Sequence, residues 1–236
     1  MPGNIIFHRR TSGSDERHFA GATAAARRPW DARLACQLVA PLHGSWVTPN
    51  HLTTVRLAVG LAAAAAFLPG SYGWSNGAAL LLVLSNFLDH ADGELARLSG
   101  KSSRFGHVYD LASDAVVTIL VFIAMGVGIE ARSHSGQPFA PAVLGAIAGC
   151  AIALIFYLRM RIEERVGKAA TLQASLGGFE TEDVLYLLPV TTLCDGTTAL
   201  LIAASLCAPV YALWVAIDYR RIMQRRQLLT IQSDSG

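Results

Sequence analysis

Six apolar runs, each near the ~20 residues that a helix needs to cross a bilayer, begin around Leu52, Asn76, Gly106, Phe139, Asp183 and Thr197. So much apolar length must be kept from water. With 236 residues, 53% hydrophobic and only 15% charged, the chain has less polar surface than a soluble domain of this length normally carries. It therefore reads as an all-α integral membrane protein, since a helix satisfies its own backbone inside hydrocarbon. Pro189 and the Cys194-Asp195-Gly196 stretch interrupt the fifth run, leaving the fifth and sixth open to a different partition or to one broken helix.

Charge asymmetry argues for an even number of crossings. Basic residues crowd the N-terminal segment (Arg9, Arg10, Arg17, Arg27, Arg28, Arg33), the second-to-third connection (Lys101, Arg104), the fourth-to-fifth connection (Arg159, Arg161, Arg165, Lys168) and the C-terminal end (Arg220, Arg221, Arg225, Arg226). The opposite connections, at 69–75, 129–138 and Asp195, hold almost no basic charge besides Arg132. The positive-inside rule then puts the four basic segments and both termini in the cytoplasm. A net charge of only +2, with basic residues flanking apolar runs, suits anionic lipid headgroups; no nucleic-acid partner is expected.

Residues 1–28 are polar and lack the apolar core of a cleavable signal, so they read as a disordered cytoplasmic tail. From residue 29 the pattern changes. Trp30, Leu34, Leu38 and Leu42 recur every four residues, with Arg28, Asp31 and Arg33 off that stripe; this predicts an amphipathic juxtamembrane helix within 29–46, with a plain linker as the alternative. Cys36, Cys150, Cys194 and Cys207 show no CxxC spacing and read as small buried apolar side chains.

Charged side chains inside the apolar segments are the anomaly. Asp89, Asp92, Arg97, Asp110 and Asp114 lie in or beside the second and third runs. A mid-membrane aspartate costs about 2.5–3.5 kcal/mol on insertion scales, so four unpaired ones would cost roughly 10 kcal/mol, comparable with the whole stability of a domain. Spacing shows how they are compensated. Asp89, Asp92, Gly93 and Ala96 follow i, i+3, i+4, i+7 and share one helical face, with Arg97 a turn beyond Gly93, while Gly106, Asp110 and Asp114 repeat every four residues. The connection over 98–105 is short enough to make the two helices antiparallel neighbours with opposed acidic faces.

A single arginine cannot neutralise four converging carboxylates, whereas two divalent cations can. Oxygen-only ligands select hard ions, Mg2+ or Mn2+, over zinc. His90 and His107 read as rim histidines off the aspartate stripes. Gly93 and Gly106 stand in register with the aspartates and either leave room for a bulky ligand or let helices pack closely.

Written out, the stretch is Asp89-x2-Asp92-Gly93-x2-Ala96-Arg97-x8-Gly106-x3-Asp110-x3-Asp114. At every fixed position it resembles the defining motif of the CDP-alcohol phosphotransferase (CDP-alcohol phosphatidyltransferase) family of phospholipid-synthesising membrane enzymes, a specific signal because the gaps are fixed as well as the residues. Thr48-Pro49-Asn50-His51-Leu52-Thr53 is similar to the family's entry into its first span, with Pro49 placed for a first helical turn. Tyr157, Arg159, Arg161 and Glu163 are similar to the basic exit from the fourth.

The resemblance implies a six-helix transmembrane catalytic domain over 47–222, with a polar cavity open to the cytoplasm, followed by a cytoplasmic tail over 223–236. It implies a homodimer in a bacterial inner membrane. Asp89 and Asp110 would bridge two metal ions, with Asp92 on the first and Asp114 on the second, and Asp114 would also be the general base. Asn50, Thr53, Gly93, Arg97, Ser103 and Gly106 would contact the CDP part of the donor, leaving Arg159, Arg161 and Arg165 as anion contacts for the acceptor. The reaction implied is displacement of CMP from a CDP-linked donor by a hydroxyl.

Tyr109-Asp110-Leu111-Ala112-Ser113-Asp114 looks closer to members using CDP-diacylglycerol than to choline and ethanolamine transferases, which usually carry a His-Gly pair after the third aspartate. Transfer from CDP-choline or CDP-ethanolamine to a lipid hydroxyl stays as the alternative. Members acting on phosphorylated acceptors often have a basic residue after the last aspartate and an arginine-rich run before the fifth span. This chain has Ala115 and Phe179-Glu180-Thr181-Glu182-Asp183, whose carboxylates would repel a phosphate and favour a neutral or zwitterionic acceptor. Of rivals in other classes, an ion transporter predicts acidic sites in both halves, and the second half has no counterpart to the aspartates. An inactive subunit is disfavoured by intact metal positions.

Overall fold

The structure, a computed structural model, describes residues 30–42, 44–100, 103–133, 140–166 and 187–234. Outside them lie the expected tail over 1–28, Lys101, Lys168, the acidic stretch at 179–183 with the expected start of the fifth run, and the expected start of the fourth at Phe139. Every element described is helical. In order they are α1 (Trp30–Val39), continued by a 3-10 turn (Ala40–Leu42), α2 (Pro49–Phe67), α3 (Tyr72–Ser99), α4 (Arg104–Arg132), α5 (Pro141–Val166), α6 (Leu188–Leu193) and α7 (Thr197–Asp234).

Among the described residues, three helices are long and apolar enough to cross a membrane, over Phe105–Arg132, Pro141–Val166 and Thr197–Gln224. The first and second expected runs form α2 and α3, with 19 and 28 residues. At 1.5 Å per residue both reach roughly 28 Å or more, about the hydrocarbon thickness. Their mean apolarity is lowered by His51 and Arg56 in one, and by Asp89, Asp92 and Glu94 in the other. Of the fifth expected run, the described part is the six-residue α6. A turn separates it from α7: Asp195 takes φ 53, a left-handed conformation that Asp tolerates, and the Gly196 N–H bonds back to Thr191 O at 2.8 Å. The two are separate helices rather than one broken rod. α7 then continues through residue 222 to Asp234, past the expected start of a tail.

Residues 30–39 form a helix. The face packed on the bundle is only partly the leucine stripe, through Leu42. Ala35 and Val39 are buried against Ala91 and Leu95 of α3, whereas Leu34 and Leu38 point outward. The cysteines also differ from expectation: all four are free, but Cys150, Cys194 and Cys207 are exposed and Cys36 is half-buried. Cys150 and Cys207 lie on α5 and α7, where an outward-facing small thiol suits lipid as readily as a core.

Helix α2 packs along both α3 and α4, α4 against α5, and α5 against α7. α3 and α4 rest chiefly on α2 rather than on each other, with their expected acidic faces still meeting through side chains. Away from that connection the packing is close. Ala63, Ala64 and Phe67 of α2 meet Ala78 and Ala79 of α3 and Val121 and Met125 of α4. Gly145 and Gly149, four apart on α5, let α4 touch backbone to backbone: a Cβ on Gly145 would stand 2.1 Å from Phe122 O. Small-xxx-small spacing of this kind packs helices where no hydrophobic effect drives them together. Large apolar side chains such as Leu80, Val143, Leu206, Val210 and Trp214 face outward, an arrangement suited to lipid and costly in water.

The described parts of the sparsely charged connections, 69–75, 129–133 and Asp195, gather at one end of the bundle. Arg132 pairs with Asp195 at 2.8 Å, and Tyr72 Oη donates to Leu193 O at 3.0 Å. At the other end, the exit of α3, the start of α4 and the exit of α5 come together, and His107 Nε2 lies 3.7 Å from Glu164 Oε1. The candidate site belongs to that second end.

Candidate metal centre

Two helix starts set the register of the site. Thr48 is extended, its N–H donates to His51 Nδ1 at 3.2 Å, and the buried Pro49 opens α2 as expected, its fixed φ fitting a first turn. Ser103 is likewise extended, and its Oγ accepts the Gly106 N–H at 3.0 Å, capping α4. Counted from these helix ends, Arg56 lies seven residues into α2, Asp110 and Asp114 six and ten into α4, and Asp92 and Asp89 seven and ten before the end of α3. All five therefore sit about 9–15 Å along their axes from the same end of the bundle.

At that level the acidic faces meet. One carboxylate oxygen from each of Asp89, Asp92 and Asp110 lies within 4.8 Å of the others. Asp92 is buried and accepts a hydrogen bond from Thr53 Oγ1 at 2.7 Å. Asp89, Asp110 and Asp114 converge on the guanidinium of Arg56. Its Nη1 donates to Asp89 Oδ1 at 2.6 Å and to Asp114 Oδ1, and its Nη2 donates to Asp110 Oδ1 at 2.8 Å and Asp110 O at 3.0 Å. The arginine side chain is 4% exposed, but those of the three aspartates are 29%, 35% and 40% exposed. The cluster is thus closed on the α2 side and open on the other, where a ligand can reach the carboxylates.

Arg56 is absent from the residues the sequence singles out, yet a signal was there. It is the one basic residue inside the first apolar run, three beyond Thr53 and so on its face, and an ionisable group inside a span needs a partner. His107 needs correction too. It precedes Asp114 by seven residues, about two turns, so it shares the aspartate face instead of lying off it.

The remaining expected residues are placed as follows. Asn50 leans against α4: a Cβ on Gly106 would lie 2.8 Å from Asn50 Oδ1 and 3.1 Å from Ser103 Oγ, so this glycine permits a close polar contact between helices. A Cβ on Gly93 would meet nothing within 4 Å, so packing among the described residues does not explain that glycine. Arg97 is largely exposed and donates to the buried Glu94 at 2.7 Å. Thr54 Oγ1 and Tyr109 Oη share a hydrogen bond of 3.1 Å, joining α2 to α4 beside the aspartates. Arg159, Arg161 and Arg165 occupy the last turns of α5 at the same end of the bundle, but Arg161 donates to Glu164 at 2.9 Å. That leaves the Arg161 guanidinium partly satisfied within the chain.

Converging carboxylates of oxygen-only character, three of them with ligand atoms mutually within 4.8 Å, fit a hard divalent cation in donor type and spacing. Among the described residues one arginine faces four aspartates in direct contact or within that cluster. Such an acidic excess at low dielectric calls for further positive charge.

Residues 46–219 match the family profile described as CDP-alcohol phosphatidyltransferase. A relative from Cereibacter sphaeroides, named CDP-diacylglycerol–glycerol-3-phosphate 3-phosphatidyltransferase, is 38% identical to the chain over 84 residues. That alignment takes in 35% of this chain and 38% of the relative, well under half the length of either.

Proposed function

The chain belongs to the CDP-alcohol phosphatidyltransferase family, and on that premise we propose that it transfers a phosphatidyl group from CDP-diacylglycerol to the hydroxyl of a small alcohol, releasing CMP. The observation that carries this reading is the meeting of Asp89, Asp92 and Asp110 from two helices, with ligand oxygens within 4.8 Å. Asp89 and Asp110 would hold both of two Mg2+ or Mn2+ ions, Asp92 the first and Asp114 the second. When bound, the ions supply charge stabilisation of the diphosphate and hold the reacting phosphorus in line.

The chain's own groups do the rest. Asp114 accepts the proton of the acceptor hydroxyl as that oxygen forms its bond to the phosphatidyl phosphorus; the bond from phosphorus to the bridging oxygen breaks and CMP leaves with the electron pair. Asn50, Thr53, Gly93, Arg97, Ser103 and Gly106 border the approach for the CDP moiety. The open space over Gly93 is support for a close ligand there. Six crossings, with α6 as the end of the fifth, α1 lying at the interface, the site and both termini on the cytoplasmic side of a bacterial inner membrane, and a homodimer complete the proposal.

Acceptor choice turns on Arg159, Arg161 and Arg165. The pairing of Arg161 with Glu164 at 2.9 Å favours a neutral or zwitterionic acceptor, whereas the relative's name specifies glycerol 3-phosphate, a phosphate-bearing one. Purified protein incubated with CDP-diacylglycerol, Mg2+ or Mn2+ and a panel including glycerol 3-phosphate, inositol and serine decides between them by mass spectrometry of the lipid products. We expect CMP release with at least one acceptor, reduced more than about 100-fold in Asp110→Asn, since even an outer-shell partner of a metal ligand is worth 10- to 100-fold. Turnover that needs no metal, or that survives this substitution, contradicts the mechanism.

A further inference from the structure

The contact between Arg56 and the aspartates is more than charge balance, because the guanidinium uses the oxygens that a cation would need. Nη1 takes Asp89 Oδ1 and Asp114 Oδ1, and Nη2 takes Asp110 Oδ1. Asp92, the fourth, is instead held by the Thr53 hydroxyl. The arginine is walled in, 3% exposed, with its own carbonyl accepting from Ser85 Oγ at 3.1 Å, and its Nε is buried with no hydrogen-bond partner among the described residues. Its two Nη groups thus take all the compensation this buried guanidinium receives, and they take it from the aspartates.

We propose, resting on the metal-dependent reading above, that Arg56 is an internal competitor for the divalent cations: it holds the carboxylates together in the metal-free protein and lowers the affinity of the site for metal. A guanidinium a few ångströms from a dication repels it, and this repulsion is strong at the low effective dielectric of a helix bundle. Metal binding therefore releases Arg56 from Asp89, Asp114 and the Asp110 carboxylate. The bond from Nη2 to the Asp110 backbone carbonyl, 3.0 Å long, involves no metal-ligand oxygen and lets the arginine stay anchored as it yields. Arg56 acts through the aspartates, as a positioning residue, and sets how readily ions enter and leave.

Mn2+ binding to the purified full-length protein, measured calorimetrically without donor or acceptor, tests this. Arg56→Gln should bind Mn2+ at least about tenfold more tightly than wild type, since one positive charge is removed from beside the ion. The metal-free melting temperature of that variant should fall and recover in saturating Mn2+. Arg56→Lys retains the charge but not the planar fork that spans three carboxylates, so its affinity should rise by a smaller factor; it decides the matter if Arg56→Gln does not fold. Equal or weaker Mn2+ binding in the folded variants overturns the proposal while leaving the transferase reading intact. A wild-type protein that binds no Mn2+ defeats both.

Discussion

The two ends of the α2, α3 and α4 bundle are built on opposite principles. At one end Ala63, Ala64, Phe67, Ala78 and Met125 form a buried apolar cluster, and a Cβ on Gly128 would stand 2.2 Å from Phe67 O. At the other end α3 and α4 lean on α2 and face each other with carboxylates, held by the Thr53 hydroxyl and the Arg56 guanidinium. Small residues let backbones approach at the first end, whereas at the second the aspartates of α3 and α4 share the Arg56 guanidinium.

This contrast predicts that substitutions at the two ends fail in different ways. The largest effect is expected at the acidic end, where Asp110→Asn removes CMP release yet leaves the metal-free melting temperature unchanged or raised. One repelling charge is gone, and the amide oxygen still accepts from Arg56. A sharp loss of stability there would erase the distinction between the two ends. Among the packed glycines the effect should reverse. Gly145→Leu drives a side chain toward Phe122 O, where even a Cβ stands at 2.1 Å, and should destabilise by about 3 kcal/mol or more, as overpacking does when backbone must move. Thermal unfolding in detergent measures that loss, and the protein that remains folded should turn over near the wild-type rate.

Gly106→Ala is a smaller probe of the open end. The added methyl meets Asn50 Oδ1 at 2.8 Å, the far end of a side chain that can swing aside. If Asn50 is a donor contact, losing one polar interaction worth about 1 kcal/mol raises KM for the CDP donor roughly fivefold. Unchanged KM would remove Asn50 from the donor site.

The smallest effect belongs to the exposed pair of Arg132 and Asp195, far from the aspartates. The hydrogen bonds and charge of Arg132 hold the Asp195 carboxyl below the usual carboxylate range. A depressed carboxyl contributes stability above its unfolded pKa of about 4 and loses it as pH falls through the folded value. Arg132→Gln should therefore lower the melting temperature slightly at neutral pH and low salt, with the difference from wild type shrinking as acid protonates Asp195 or in high salt, as for surface pairs in general.

The acidic stripes were legible because helical periodicity is local. Asp89 and Asp92 at i, i+3 and Asp110 and Asp114 at i, i+4 must share a face in any helix, whatever surrounds it. The Pro49 start and the gathering of the sparsely charged connections at one end follow from chemistry that is also local, a missing N–H and the distribution of lysine and arginine. Arg56 was not legible in the same way. Its partners are 33, 54 and 58 residues away, and nothing in the first run says which charges it will meet.

Sequence alone thus determined that the chain is helical, apolar enough for a membrane, and marked by four aspartates on two faces in a family-specific spacing. Tertiary structure decided that α2 would pack on both helices and bring Arg56 to the aspartates, that Asn50 would sit against Gly106, and that Arg161 would bond Glu164. The physical reason is range: backbone periodicity and side-chain polarity act within a few residues, while a buried charge takes whatever partner the packing of distant helices brings to it.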